Sequence, residues 1–256
     1  MKASAISSTI TARSPSANAS RPERFALTGT SWSYDPRVHA ARRDIADIAL
    51  AGRLFAPHYA RPLTMVCTVA HLPLYDRPGP AGRQTSELLL GEHFAAIDID
   101  GGWAWGYCSH DHYVGYIAMD GLDIGDDRTV RMPVAGHHAD PAALARSLVG
   151  TPFVAGGRSS AGVDVGGLVQ IALAPFGIAA PRDVDLQRNA LGTAIDAGGA
   201  IGRNDLVFVA GHAGIMADSE RLIHASGSAG AVIAEPLADV LARLGRDDLL
   251  VRRLGA

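Results

Sequence analysis

Between Leu63 and about Leu122 the hydrophobic pattern runs with a period of two, and this stretch constrains the fold more than any other. Thr64 to Val69 is a run of mostly β-branched residues, the composition of a strand. Ser86 to Leu90 and His93 to Ile99 are two further strand candidates around Gly91. Asp100-Gly101-Gly102 is a hairpin-turn signal. After it, Trp103, Trp105 and Tyr107 alternate with small residues, which puts three aromatics on one face. They read as barrel core and as packing against a second domain, with a stacking wall for peptide or glycan as the functional alternative. Tyr113 to Ile117 is the last strand, and Pro73, Pro78, Gly79 and Pro80 mark a loop. Several short strands separated by turn signals predict a small all-β barrel over residues 61–125.

Beyond it the texture changes. Residues 126–139 read as a linker, with His137 and His138 as solvated residues rather than metal ligands. Asp140-Pro141 predicts the cap of a short helix. A glycine-rich turn, Gly156 to Gly162, leads into a helix from Val165 to about Ala174. Strand candidates follow at Leu206–Val209, Ala213–Ala217, Arg221–Ala225 and Ala231–Ala234, and Pro236 opens a last helix. Helices first and antiparallel strands after them make residues 140–256 α+β. Upstream of the barrel, residues 29–60 are expected to be a helical segment, with a helix from Asp35 to Leu50 carrying Val38, Ala41, Ile45, Ile48 and Ala49 on one face. Residues 1–28, rich in Ser, Ala and Thr, read as a disordered tail.

Composition removes several functions. The net charge of −3 argues against nucleic acid as the main partner. Lys2 is the only lysine, so a P-loop has no lysine to use. No run is long and apolar enough for a membrane span, and the tail lacks the apolar centre of a secretory signal, so the expectation is a cytoplasmic protein without a membrane partner. Cys67 and Cys108 are too few for a disulfide scaffold or a four-thiolate zinc site. The glycine-rich turn fits neither nucleotide-binding pattern. It feeds a helix N-terminus, where unsatisfied N–H groups lower the pKa of a thiol. His212 and His224 sit in or beside neighbouring strand candidates, where one imidazole can act as base and the other can orient it.

Three blocks carry a family resemblance. TPFVAGGRSSAGVDVGGLVQIAL, NDLVFVAGHAGIM and RLIHAS resemble, in order and spacing, the nucleophile, base and third-residue blocks of the NlpC-type papain-like cysteine peptidases of bacterial cell-wall metabolism. ELLLGEHFAAIDIDGGWAWGYCSHDHYVGYI is similar to the bacterial SH3-like segment that often precedes that domain. The resemblance implies a papain-like α+β domain behind an SH3-like barrel. It also implies cleavage of peptidoglycan stem peptides after D-glutamate, at the γ-bond to a diamino acid, with no cofactor. Carried over by position, His212 is the base, His224 the orienting residue and Val165 stands where the nucleophile belongs. Gly166 replaces the serine after the nucleophile, Phe153 a tyrosine, Ala155 a tryptophan and Val184 a serine. Asp164, Arg182 and Asp183 are retained, Asp183 as a carboxylate for the substrate's ammonium group, with Tyr113 over that pocket.

Valine has no lone pair to attack a carbonyl. The expectation is therefore a homologue that has lost cysteine peptidase chemistry and binds a cell-wall peptide, such as L-Ala-γ-D-Glu-diaminopimelate, or a paralogous protein. The alternatives are an assembly surface and a hydrolase with a displaced nucleophile (Ser159, Ser160 or Cys108) or with a metal on His212, His224 and Asp183, whereas Cys67 reads as a small core residue.

Overall fold

The computed structural model describes residues 33–125, 138–196, 198–245 and 248–255. The predicted tail, His137 and most of the linker lie outside them. Tyr34–Ala256 forms one compact unit.

The predicted helix from Asp35 to Leu50 is not formed. Asp35 does start a turn: its Oδ1 accepts from Arg37 N at 2.9 Å and its carbonyl from His39 N at 2.9 Å. The chain then leaves the helical path. Ala40 is buried with Ile97 and Trp105 of the barrel, Ala41 bridges back to Ala46, and β1 (Ile45–Asp47) pairs in parallel with β2 (His58–Ala60). The apolar spacing that suits a helix here serves contact with the barrel instead, a tertiary override of local propensity.

The barrel sheet contains β3 (Leu63–Cys67), β4 (His71–Tyr75), β5 (Gln84–Leu89), β6 (His93–Asp100), β7 (Trp103–Cys108), β8 (Val114–Ala118) and β9 (Leu122–Ile124), in the order β5-β4-β8-β7-β6-β3-β9. Asp100 pairs with Trp103 around Gly101 (φ 55°) and Gly102 (φ 82°), the left-handed pair of a two-residue hairpin. Two strands escaped the sequence reading. β4 was hidden by Pro73, which lies outside the β8 pairing of Leu74 and Tyr75, so its missing N–H breaks no bond on that side. β9 is only three residues long. The core is Met65, Cys67, Leu74, Leu88, Phe94 and Ile117. Trp105 is not part of it. The ring packs with Ala40 and Ile97, and the Arg42 guanidinium lies 4.5 Å from its centroid. The N-terminal segment covers this aromatic side, where packing against the second domain was expected.

The remaining elements are α1 (Pro141–Ser147), a small hairpin of β10 (Arg158–Ser159) and β11 (Gly162–Val163), α2 (Val165–Leu173), α3 (Val184–Ala190), β12 (Thr193–Ala194), β13 (Leu206–Val209), β14 (His212–Met216), β15 (Arg221–Ser226), β16 (Ala231–Pro236), α4 (Leu237–Leu244) and β17 (Leu250–Arg253). The sheet runs β12-β17-β13-β14-β15-β16. Alternation along β13 sorts its side chains: Leu206 and Phe208 join Leu168, Ala172 and Leu173 of α2, while Val207 and Val209 join Val240 and Leu241 of α4. The architecture is α+β, with helices on both faces of an antiparallel sheet. α3, β12 and β17 were missed, being short or carrying little periodic pattern. No helix among the described residues is long and apolar enough to cross a membrane.

Buried polar contacts join the barrel to the second sheet. Arg158, 5 % exposed, donates from Nη1 to Glu92 at 2.6 Å and to the Glu87 carbonyl at 3.2 Å. Gln170 of α2 donates to Asp111 at 2.8 Å, and Arg182 to Ser86 at 3.1 Å. Buried charges persist only when partnered in this way.

Candidate functional site

β14 and β15 are adjacent antiparallel strands, and their pairing brings His212 and His224 together. His212 Nε2 lies 2.7 Å from His224 Nδ1, with the rings edge to face. His224 is 1 % exposed. Its Nε2 lies 2.8 Å from Glu235 Oε1 on β16, and Glu235 pairs with Arg243 of α4. Neither Glu235 nor Arg243 was among the sequence candidates. The signal that could have found them is register, since Glu235 and His224 face one another diagonally across β15 and β16.

The chain of partners orders the protons. Arg243 holds the Glu235 carboxyl below its usual range, so Glu235 accepts and His224 Nε2 donates. A neutral His224 then accepts at Nδ1 from His212 Nε2–H. The lone pair of His212 is left on Nδ1, to which no hydrogen bond is made among the described residues. Burial, reinforced by the neighbouring His224, pushes the His212 pKa down to about 4. Burial also lowers that of His224, against the pull of Glu235. His212 is neutral at pH 7, with an Nδ1 lone pair that can accept a proton.

Val165, aligned by resemblance with the nucleophile, is the first residue of α2. Asp164 caps that helix, accepting from Gly167 N at 2.8 Å and Gly156 N at 2.9 Å. α2 packs against β14 and β15. The valine side chain packs on the core containing Ala213 and Ala225, the residues that follow His212 and His224. Gly166 is locked in place: a Cβ there would lie 2.2 Å from the Arg182 carbonyl oxygen. Arg182, 3 % exposed, pairs with Asp164 at 2.7 Å. Both residues are therefore committed to bracing the helix start. Phe153 and Val184 pack against the same core, and Ala155 is exposed.

Asp183 caps the start of α3 by position, and its carboxylate accepts from Tyr113 Oη at 3.2 Å. It also accepts from Arg37 Nη1 at 2.9 Å. Arg37 comes from the segment expected to be a helix. A cavity of about 500 Å³, lined by Arg37, Tyr113 and Asp183 together with Arg42, Trp105 and Tyr116, opens beside this pair.

The other chemical candidates do not assemble. Cys67 and Cys108 are buried in the barrel core, and burial drives the Cys108 thiol well above its usual pKa, with Asp111 and Glu92 adding to the effect. Ser159 Oγ serves its own turn, accepting from Ala161 N. His212, His224 and Asp183 do not gather their ligand atoms at one point among the described residues. Cys108, His110 and Asp111 do, within 4.8 Å, but Asp111 is already bonded to Gln170 and to Tyr113 N.

Comparison with known proteins identifies two domains. Residues 150–242 match the NlpC/P60 family, and residues 74–122 match the bacterial dipeptidyl-peptidase Sh3 domain. The chain carries an NlpC/P60 domain behind a bacterial SH3 domain. No curated protein matches it. Similar solved structures include NlpC2 from Trichomonas vaginalis, 20 % identical over 75 % of this chain and 73 % of that one, with a TM-score of 0.40. The peptidoglycan hydrolase RipB from Mycobacterium tuberculosis is 29 % identical over 45 % of this chain and 64 % of its own, with a TM-score of 0.39. RipD from Mycobacterium tuberculosis, described as a non-catalytic NlpC/p60 domain protein adapted to peptidoglycan binding, is 19 % identical over 44 % of this chain and 93 % of its own, with a TM-score of 0.35. In this NlpC/P60 chain His212, His224 and Asp183 are present, and the first residue of α2 is Val165.

Proposed function

We propose that this protein is an NlpC/P60 homologue without cysteine peptidase activity, acting as a binding or regulatory protein for a cell-wall peptide of the L-Ala-γ-D-Glu-diaminopimelate type. The observation that carries the reading is Val165 at the first position of α2, a helix packed on the strands β14 and β15 whose histidine pair is intact and hydrogen-bonded at 2.7 Å. A base without a nucleophile cannot form an acyl-enzyme, and loss of a triad nucleophile leaves only what binding and oxyanion stabilisation contribute. The buried cysteines offer no substitute, since an effective thiol must be exposed and held as thiolate. The retained Asp183 and Tyr113 beside a cavity of about 500 Å³ support peptide recognition, because that volume suits a ligand of a few residues.

The test uses the purified full chain with the tripeptide. Titration calorimetry is expected to register binding, and chromatography is expected to find the γ-bond intact after prolonged incubation. Release of free diaminopimelate that disappears in a His212→Ala variant would overturn the reading.

A further inference from the structure

The carboxylate retained for an ammonium group already holds a cation. Arg37 donates from Nη1 to Asp183 at 2.9 Å and to Asp185 at 2.8 Å. Its Nη2 reaches Asp185 and Asp35, both at 2.8 Å, and its Nε reaches Asp35 at 3.1 Å. The guanidinium thus spans three carboxylates, and these contacts raise its pKa beyond the ordinary arginine value. Its backbone is tied down as well, the Arg37 carbonyl accepting from Val114 N at 2.8 Å at the start of β8. Tyr113 approaches the same Asp183 carboxylate from the barrel.

Building on the peptide-binding reading, we propose that Arg37 is a built-in competitor in this pocket: it is a resident cation that a ligand's N-terminal ammonium must displace from Asp183. Three carboxylates around one guanidinium leave a net negative site, so a second cation is still attracted. Arg37 and an ammonium cannot both sit on Asp183 without like-charge repulsion. The favoured ligand is a peptide with a free amine that can exchange with the guanidinium while Asp35 and Asp185 keep hold of Arg37. The N-terminal segment and the ligand are then coupled through one carboxylate.

The experiment compares wild type with Arg37→Gln by titration calorimetry, using L-Ala-γ-D-Glu-diaminopimelate and its N-acetylated form. Arg37→Ala is a second variant that removes the guanidinium without touching Asp183. Removing a resident competitor raises the competent fraction of the pocket, so both variants should bind the free-amine peptide about tenfold more tightly or better. Binding of the acetylated peptide should change by less than about twofold, since it carries no ammonium for Asp183 to receive. Equal or weaker binding of the free-amine peptide by folded variants would overturn the role of Arg37 and leave the peptide-binding reading standing. Absence of binding in all three proteins would overturn both.

Discussion

The strand side and the helix side of the site carry different kinds of residues. On β14, β15 and β16 the polar relay His212–His224–Glu235 is complete and tied off by Arg243. At the start of α2, the positions aligned with the nucleophile and the residue after it are Val165 and Gly166. The two sides are under different physical constraints. His212 Nε2, both ring nitrogens of His224 and the Glu235 carboxylate are partnered within the relay, so removing a partner of the buried His224 leaves a buried polar atom unsatisfied. The first helical residue has no such obligation, and a valine packs there on the apolar core. Loss of a nucleophile at a helix start is cheap for the fold, whereas loss of a buried histidine partner is not. An intact histidine pair is for this reason weak testimony for catalysis.

This contrast can be broken most sharply by Val165→Cys. If the helix side alone has been lost, the variant gains cleavage of L-Ala-γ-D-Glu-diaminopimelate, with a rate several orders of magnitude above wild type, read by chromatographic release of diaminopimelate. A folded variant with no turnover would mean that Phe153, Ala155 and Val184 have also closed the site to substrate.

Restoring the next residue should fail. Gly166→Ser places its Cβ against the Arg182 carbonyl, 2.2 Å away in the present backbone. The expected cost is about 3 kcal/mol, visible as a lower midpoint in denaturant unfolding. An unchanged midpoint would show that the helix start yields more readily than its bracing by Arg182 and Asp164 suggests.

The strand side predicts a pH dependence. His212 has a folded pKa of about 4, below its unfolded value near 6.5. Between these values the unfolded chain binds the extra proton, so stability rises with pH through this window. It is fully present above about 6.5 and is lost as pH falls toward 4, by on the order of 2–3 kcal/mol. Unfolding series from pH 7.5 to 4 check this, and His212→Asn should flatten that limb. A limb equally steep in the variant would assign it elsewhere.

The smallest effect concerns the outer end of the relay. Glu235→Gln keeps the shape but removes the ionised acceptor, and should cost about 1 kcal/mol. It should also shift the ring nitrogen resonances of His224 and His212 toward a mixture of tautomers. Unchanged resonances would detach Glu235 from the ordering of the pair.

Much of this was legible along the chain. Period-two alternation located five barrel strands, the Asp100–Trp103 hairpin followed from its glycines, and the Asp140 cap and the glycine-rich turn marked two helix starts. The misses share a cause. Val38, Ala41 and Ile45 satisfy a helical spacing, but Ala40 and Arg42 gain more from covering Trp105. Pro73 reads as a loop because a sequence does not say which edge of a strand is paired.

The same boundary divides the site. Residue identity at single positions belongs to the sequence: that Val165 cannot attack, and that His212 and His224 can exchange a proton, follows from their side chains once the family blocks align them. Which groups meet belongs to the tertiary structure. Glu235 and Arg243 complete the relay only through strand register and helix packing, and Arg37 reaches Asp183 across 146 positions of chain. Contacts over such separations depend on the path of every element between them, and local pattern does not encode that path.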